Sequence, residues 1–254
     1  MQKTRVRKRI TYAANFLALL ALVVVLFGYT RLKTEVTNTF CSDHSLNQGE
    51  EDIDCGGPCV ACPAPTVDLV VGGVRIIGAG DNTIFVIDLN NPSVDYGSAK
   101  VPYVLEVKDD QGNTIKRIED STPIAPDEYK RVVIPVLGVG LQGLGEPTFL
   151  FGKADFATES ELPAYSIGLT SLTTTFPPDK VQVAGTVTNE TSGKIKRLRL
   201  TAVMFTAGGD IANASVTILD NLSPFSPQKF TIVMPRSEYY IDPSLTKVSW
   251  EVLD

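Results

Sequence analysis

The order of apolar and polar positions changes period along the chain. From Ile10 to Thr30 no residue is charged, and apart from Asn15 and a few small or hydroxyl residues "AANFLALLALVVVLFGY" is apolar. A helix rising about 1.5 Å per residue crosses a bilayer core in about 20 residues, so this run predicts a transmembrane helix over 10–30. A cleaved secretory signal is the rival reading, but it has a shorter apolar region, and "LFGYTRLK" lacks the small-x-small site at which such signals are cut. Beyond "CPAPT", where prolines mark a linker, the period becomes two. Leu198, Leu200, Ala202 and Met204 share one face of a strand whose other face carries Arg197, Arg199 and Thr201. Val248, Trp250 and Val252 interleave with Lys247, Ser249 and Glu251, and Val101, Tyr103, Leu105 and Val107 alternate in the same way. Period two predicts strands half buried against a core, with Trp250 inside. Many short strands at regular spacing predict an all-β ectodomain of antiparallel sandwiches.

The pattern also repeats. "IFVIDLNN", "VPYVLEVKDDQGNTI" and "IAPDEYKRVVIP" have counterparts in "VQVAGTVTNE", "KRLRLTAVMFTAGGDI" and "LSPFSPQKFTIVMP". Asn90 and Asn189 lie 99 positions apart, Gly112 and Gly209 97, and Pro126 and Pro224 98. One offset at three landmarks predicts two copies of a sandwich, over 67–158 and 159–254, joined by "ATESELPAYS" (157–166). In each copy a strand ends in Asn, a hairpin turns at "DQGN" or "AGGD", and a later strand follows an x-Pro corner.

Charge sets the topology. Residues 1–9 hold Lys3, Arg5, Arg7, Lys8 and Arg9 and no acid, which keeps a short tail cytoplasmic and places 31–254 outside. Those five account for part of 23 basic residues, leaving 18 against 29 acidic ones, a net −11 beyond Thr30. Such a surface disfavours nucleic acid and anionic lipid.

Between anchor and sandwiches, a neck over 31–66 contains all four cysteines, spaced Cys41-x13-Cys55-x3-Cys59-x2-Cys62. Outside the cytoplasm they read as two disulfides, with three pairings open; zinc or free thiols would need a reducing setting. So short a segment needs cross-links in place of a core. Asp43, Asn47, Glu50, Asp52 and Asp54, with Glu51, are hard oxygen ligands and make calcium the candidate cofactor, although their order does not match an EF-hand. A solvated acidic loop is the plainer reading. His44, the lone histidine, reads as a loop residue.

Two resemblances follow. "NQGEEDIDCGGPCVAC" resembles a motif, roughly N-x-x-E-x-D-x-D-C-G-G-x-C-x-x-C, of secreted and surface-anchored prokaryotic proteins, and implies a stapled extracellular spacer. Val183-x-Gly185-x-Val187-x-Asn189 and "YGSAKVPYVLEVKDDQG" resemble the bacterial and archaeal Ig-like domains of the CARDB and FxLYD kind. The Leu-Tyr-Asp string of the latter is missing; "VMFTAGG" stands in its place. That resemblance implies spacer or interaction modules, and fold alone does not fix function.

Other motifs are weaker. Gly138-x-Gly140-x-x-Gly143 has a dinucleotide-binding spacing, but "EPTFLFGKADF" follows where a helix should open, so no nucleotide is expected. "IIGAGDN" reads as a turn. Within the loop Gly138–Pro147, Val139, Leu141 and Leu144 are aliphatics where a plain turn would be polar, which makes them candidate contacts with a protein partner or the neighbouring domain. Asn189, Asn213 and Asn221 fit N-x-Ser/Thr, a pattern short enough to arise by chance. Residues 66–254 contain no His and no Cys, which removes Ser-His-Asp and Cys-His nucleophiles and His- or Cys-ligated metals from the sandwiches. The expectation is a non-catalytic, single-pass, membrane-anchored binding or scaffold protein with an extracytoplasmic protein partner. The alternative is a subunit of an envelope assembly such as a pilus or secretion machine, for which Asn15 is a polar contact within the anchor. An extracellular hydrolase comes third.

Overall fold

The computed structural model describes residues 17–27, 41–236 and 240–253. The predicted tail 1–9 lies outside them, and the predicted anchor 10–30 is described only at 17–27, which is helical and apolar. Among the described residues no helix is long and apolar enough to cross a membrane. The chain divides into two compact units, one to Ala64 and one from Pro65 to Asp254.

Past Pro65 the alternating runs become strands. The first copy forms β1 (Val70–Ala79), β2 (Asn82–Asn90), β3 (Tyr96–Lys108), β4 (Thr114–Ile124), β5 (Tyr129–Val136) and β6 (Thr148–Phe151). They make two antiparallel sheets, ordered β1-β2-β5 and β4-β3-β6. A short β7 (Ala157–Thr158) pairs with Tyr96 and Gly97 of β3, and Thr158 and Glu161 then cap one turn of 3-10 helix over Glu159–Glu161. The stretch 157–166 that joins the two sandwiches is therefore partly docked on the first. The second copy forms β8 (Ile167–Thr175), β9 (Lys180–Asn189), β10 (Ile195–Phe205), β11 (Ile211–Leu222), β12 (Pro227–Pro235) and β13 (Asp242–Val252). Its sheets, β12-β9-β8 and β11-β10-β13, repeat the first copy's order strand for strand.

Each pair of sheets encloses its own core. Phe85, Ile87, Leu89, Val101, Tyr103, Leu105, Val132 and Ile134 fill the first, and Val183, Val187, Leu198, Leu200, Met204, Phe230, Ile232 and Met234 the second. The turns repeat as well. Gly112 and Gly209 sit at φ 84° and 86°, a left-handed conformation that suits glycine, at the tips of the two hairpins. The repeated asparagine is Asn91, not Asn90. Fully buried Asn91 donates to the carbonyls of Tyr96 and Ala125, and fully buried Asn189 donates to those of Gly193 and Leu222. Asn91 lies 98 positions from Asn189, which brings this landmark into line with the others.

The two sandwiches share a seam. The outward face of β1-β2-β5 packs against the outward face of β11-β10-β13 through Ile77, Ala79, Ile84, Val86, Val133, Val203, Phe205 and Ala214. Burying a branched aliphatic side chain fully is worth about 1.5–3 kcal/mol, so the apolar seam is a large term. It explains why β2 and β10 are buried on both faces and not half buried: in β10 even Arg199 and Thr201 are only 5% and 2% exposed. Strands covered on both sides read as near-continuous apolar runs, and "TIFVI" and "AVMF" are such runs.

Register shows which faces were recruited. Ile84, Val86 and Val133 of the seam correspond, 98 positions on, to Gln182, Ala184 and Thr231. Glu106, Arg117 and Glu119, an ion-paired surface cluster, correspond 97 positions on to Val203, Ala214 and Val216. One copy contributes one sheet's outer face and the other copy the opposite sheet's.

Candidate functional site

Three places gather chemistry: the neck, a buried polar cluster on the seam, and the grooves that flank the seam.

In the neck, Cys41 bonds Cys59 and Cys55 bonds Cys62, with no free thiol among the described residues. The acidic residues are wired into its turns. Asp43 Oδ1 accepts the Ser45 N–H and Asp43 Oδ2 accepts from Asn47 Nδ2. Glu50 Oε2 accepts the Asn47 N–H at 3.2 Å, and Asp54 accepts the His44 N–H at 3.0 Å while pairing with His44 Nδ1 at 2.9 Å. Asp52 accepts from the neighbouring Ile53 N–H. Gly56 and Gly57 stand at φ 78° and 54°, and a Cβ there would strike the Glu51 side chain and the Gly49 carbonyl. The motif's Asn, Glu, Asp and paired glycines thus each have a geometric task. The sole convergence of three potential metal ligands among the described residues is Cys41, Glu50 and Cys59, whose sulfurs are already joined to each other. Asp43, Glu50, Asp52 and Asp54 each already accept a hydrogen bond, so a calcium ion on them would share their carboxylates with the turns. Among the described residues, Asn47 Oδ1 is the one neck side-chain oxygen buried without a partner.

The polar part of the seam is built from β3, β4 and β5 on one side and β10 and β13 on the other. Arg199 of β10 pairs with Asp120 of β4, donates to the Ser121 carbonyl, and lies 3.7 Å from Glu251 of β13. Glu251, 6% exposed, accepts from the Thr122 hydroxyl at 2.7 Å and has Lys130 Nζ 3.5 Å away. Burial works to lower the Arg199 pKa, but the charges of Glu251, Tyr103 and Asp120 outweigh it and raise the value overall. Burial first, then the Asp120 carboxylate, push the Tyr103 hydroxyl well above its ordinary value. Every member has a partner, so the cluster ties the two sandwiches together across the seam.

One groove beside the seam, of about 520 Å³, is lined by Arg75, Gly78, Leu141, Asp210, Ile211 and Arg236, among others. Its charges are largely matched: Arg75 lies 3.5 Å from Asp210, and Arg236 donates to the Pro178 carbonyl. Here the loop Gly138–Pro147 can be placed. Val139 and Leu144 pack against the first core, whereas Leu141 is 48% exposed and lies over Gly78. Asn82 and Thr83 hold the loop through the Gly138 N–H and the Val139 carbonyl, and it leads into β6 with no helix behind Gly143. The other groove, of about 450 Å³, is lined by Trp250, Tyr165, Pro123, Pro126, Leu162 and Pro163, with Glu128 and Glu159.

Trp250 is 37% exposed, contrary to its expected place in the core. β13 pairs only with β10 and sits at its sheet's edge, so alternation put Trp250 on the correct face but not under cover. Of the N-x-Ser/Thr positions, Asn189 and Asn213 are buried and only Asn221 is exposed. Sequence reasoning missed the Arg199 cluster. The signal was present in the repeat, because the outward positions of the two copies differ in polarity.

No family model matches the chain, and no curated protein matches it. Among solved structures, the crystal structure of red sea bream transglutaminase aligns at 9% identity with a TM-score of 0.24, over 76% of this chain and 32% of that one. This chain thus spans about a third of that protein, and a likeness at that level says nothing of what it does.

Proposed function

We propose that this chain is a non-catalytic, membrane-anchored binding or scaffold protein that holds two fused, Ig-like sandwiches outside the cytoplasm. The observation that carries the reading is the seam. Its charged groups, which elsewhere would be candidates for acid–base work, are consumed in joining the sandwiches. What is left accessible is contact surface: two grooves and polar sheet faces. The basic tail, the uncharged run 10–30 and the disulfide-bonded neck support an N-terminal anchor with the C-terminus outside. The residues quoted for the CARDB and FxLYD kind support the Ig-like assignment.

Protease added to intact cells should remove everything beyond about Arg31; a protected C-terminal part would refute the topology. The second reading, a subunit of an envelope assembly, is favoured by Asn15 in the apolar run. Sizing after detergent extraction separates the two: a monomer supports the first, and a defined large complex the second.

A further inference from the structure

The groove around Trp250 has more to say than its shape. Its floor and rim are apolar, built from Pro123, Pro126, Leu162, Pro163, Tyr165 and the indole of Trp250. Its polar groups are nearly all engaged within the chain. Glu128 accepts the Ala125 N–H, Lys130 donates to the Pro123 carbonyl, and Glu251 is bound to Thr122 and Arg199. Two features are left over. Glu159 is exposed, and its carboxylate has no partner among the described residues. Trp250 makes no side-chain hydrogen bond among the described residues, and no cation among them covers its ring; Arg131 and Lys247 lie over Tyr129 and Phe205 instead.

A groove lined by an aromatic face and an unpaired carboxylate attracts a cation that also brings apolar stem to bury. We propose that this groove binds an extended segment of a partner protein carrying an arginine or lysine, its charged head against Glu159 and its stem across Trp250. The lining charges favour that sign: Glu128, Glu159 and Glu251 against Lys130. So does the wider surface, with 18 basic against 29 acidic residues beyond Thr30. A saccharide would also stack on tryptophan, but it carries no charge to answer the groove's net negative lining. The volume, about 450 Å³, is of the size that takes a few residues. The inference deepens the binding reading above and rests on it.

Trp250 is the single tryptophan of the chain, so its fluorescence reports on this groove alone. The probe is the blocked pentapeptide acetyl-Ala-Val-Arg-Val-Ala-amide, titrated into the full-length protein in detergent. Its citrulline counterpart is the isosteric neutral control. Saturable quenching is expected with a Kd of roughly 0.1–1 mM, and a three- to fivefold weaker response to citrulline, about the scale of an exposed cation–aromatic contact. Glu159→Gln should weaken arginine binding by roughly the same factor while leaving the melting temperature unchanged, since Glu159 is exposed. Equal binding of citrulline and arginine would overturn the proposal, as would no saturation through the millimolar range. Saturation by tri-N-acetylchitotriose with none by peptide would overturn it in favour of a sugar site. None of these failures touches the protease test of topology, so the two readings fall separately.

Discussion

Removing Arg199 tests whether the two sandwiches are joined by chemistry or merely adjacent. In Arg199→Ala the guanidinium that bridges Asp120, the Ser121 carbonyl and Glu251 is lost from a site 5% exposed. Deleting one partner of a buried pair costs about 3–5 kcal/mol when the other is orphaned. Glu251 is not orphaned here: Thr122 still donates to it, and Lys130 still lies 3.5 Å away. Asp120, whose side chain is 41% exposed, returns to water and adds little. The expected loss is therefore about 2–3 kcal/mol, which in a unit of this size lowers the melting temperature by about 5–10 °C. Urea unfolding followed by Trp250 fluorescence reads it directly, because Trp250 neighbours Glu251 in β13. Asp120→Asn should cost under about 1 kcal/mol, and Arg199→Met combined with Glu251→Leu should stay within about 1 kcal/mol of the parent, since a packed apolar pair replaces the ionic one. An Arg199→Ala change within about 0.5 kcal/mol of the parent, or an Asp120→Asn cost equal to it, would refute the reasoning.

Further measurements bear on other elements. The folded state keeps the Tyr103 proton above the ordinary phenol value of about 10, so as pH rises past that value the unfolded chain releases a proton the folded one retains, and stability falls. Tyr103→Phe should flatten that alkaline fall, as seen in urea midpoints against pH; an unchanged slope would count against it. Asn91→Ala should cost about 2–3 kcal/mol through two lost buried hydrogen bonds, and Asn90→Ala under about 1 kcal/mol; a reversed order would restore Asn90 as the repeat's landmark. Peptide mapping without reduction should recover Cys41 with Cys59 and Cys55 with Cys62, and any other pairing would contradict the neck. In a glycosylating host only Asn221 should carry a glycan, and occupancy at Asn189 or Asn213 would contradict their burial.

The strands and the duplication were legible because period two and turn chemistry are local properties. "DQGN" and "AGGD" mark the hairpins, and the alternation of Leu198, Leu200, Ala202 and Met204 reports the face toward their own core. The seam was not legible from one strand, because an arginine between leucines looks solvated until a second domain covers it, as with Arg199. Trp250 failed for the opposite reason: alternation assigns a face but says nothing of whether that face is roofed at a sheet's edge. Carboxylates that tie turns and carboxylates that hold calcium share one composition, so the sequence did not show that Asp43, Glu50 and Asp54 hold the neck's turns.

The seam joins unlike faces of like domains, a head-to-tail arrangement of the kind that could in principle add copy after copy. Here the two outward faces differ from the seam. The first copy's remaining outer face carries the Glu106–Arg117–Glu119 ion pairs where its successor has Val203, Ala214 and Val216. The second copy's remaining face presents Gln182 and Thr231 where its predecessor offers Ile84 and Val133. Those polar faces act as end caps, the device that keeps repeat arrays soluble. Exchanging them is the route by which a sequence like this one would grow into a filament: Glu106, Arg117 and Glu119 recast as Val, Ala and Val, with Gln182 and Thr231 as Ile and Val, should convert a closed pair into a polymerising unit.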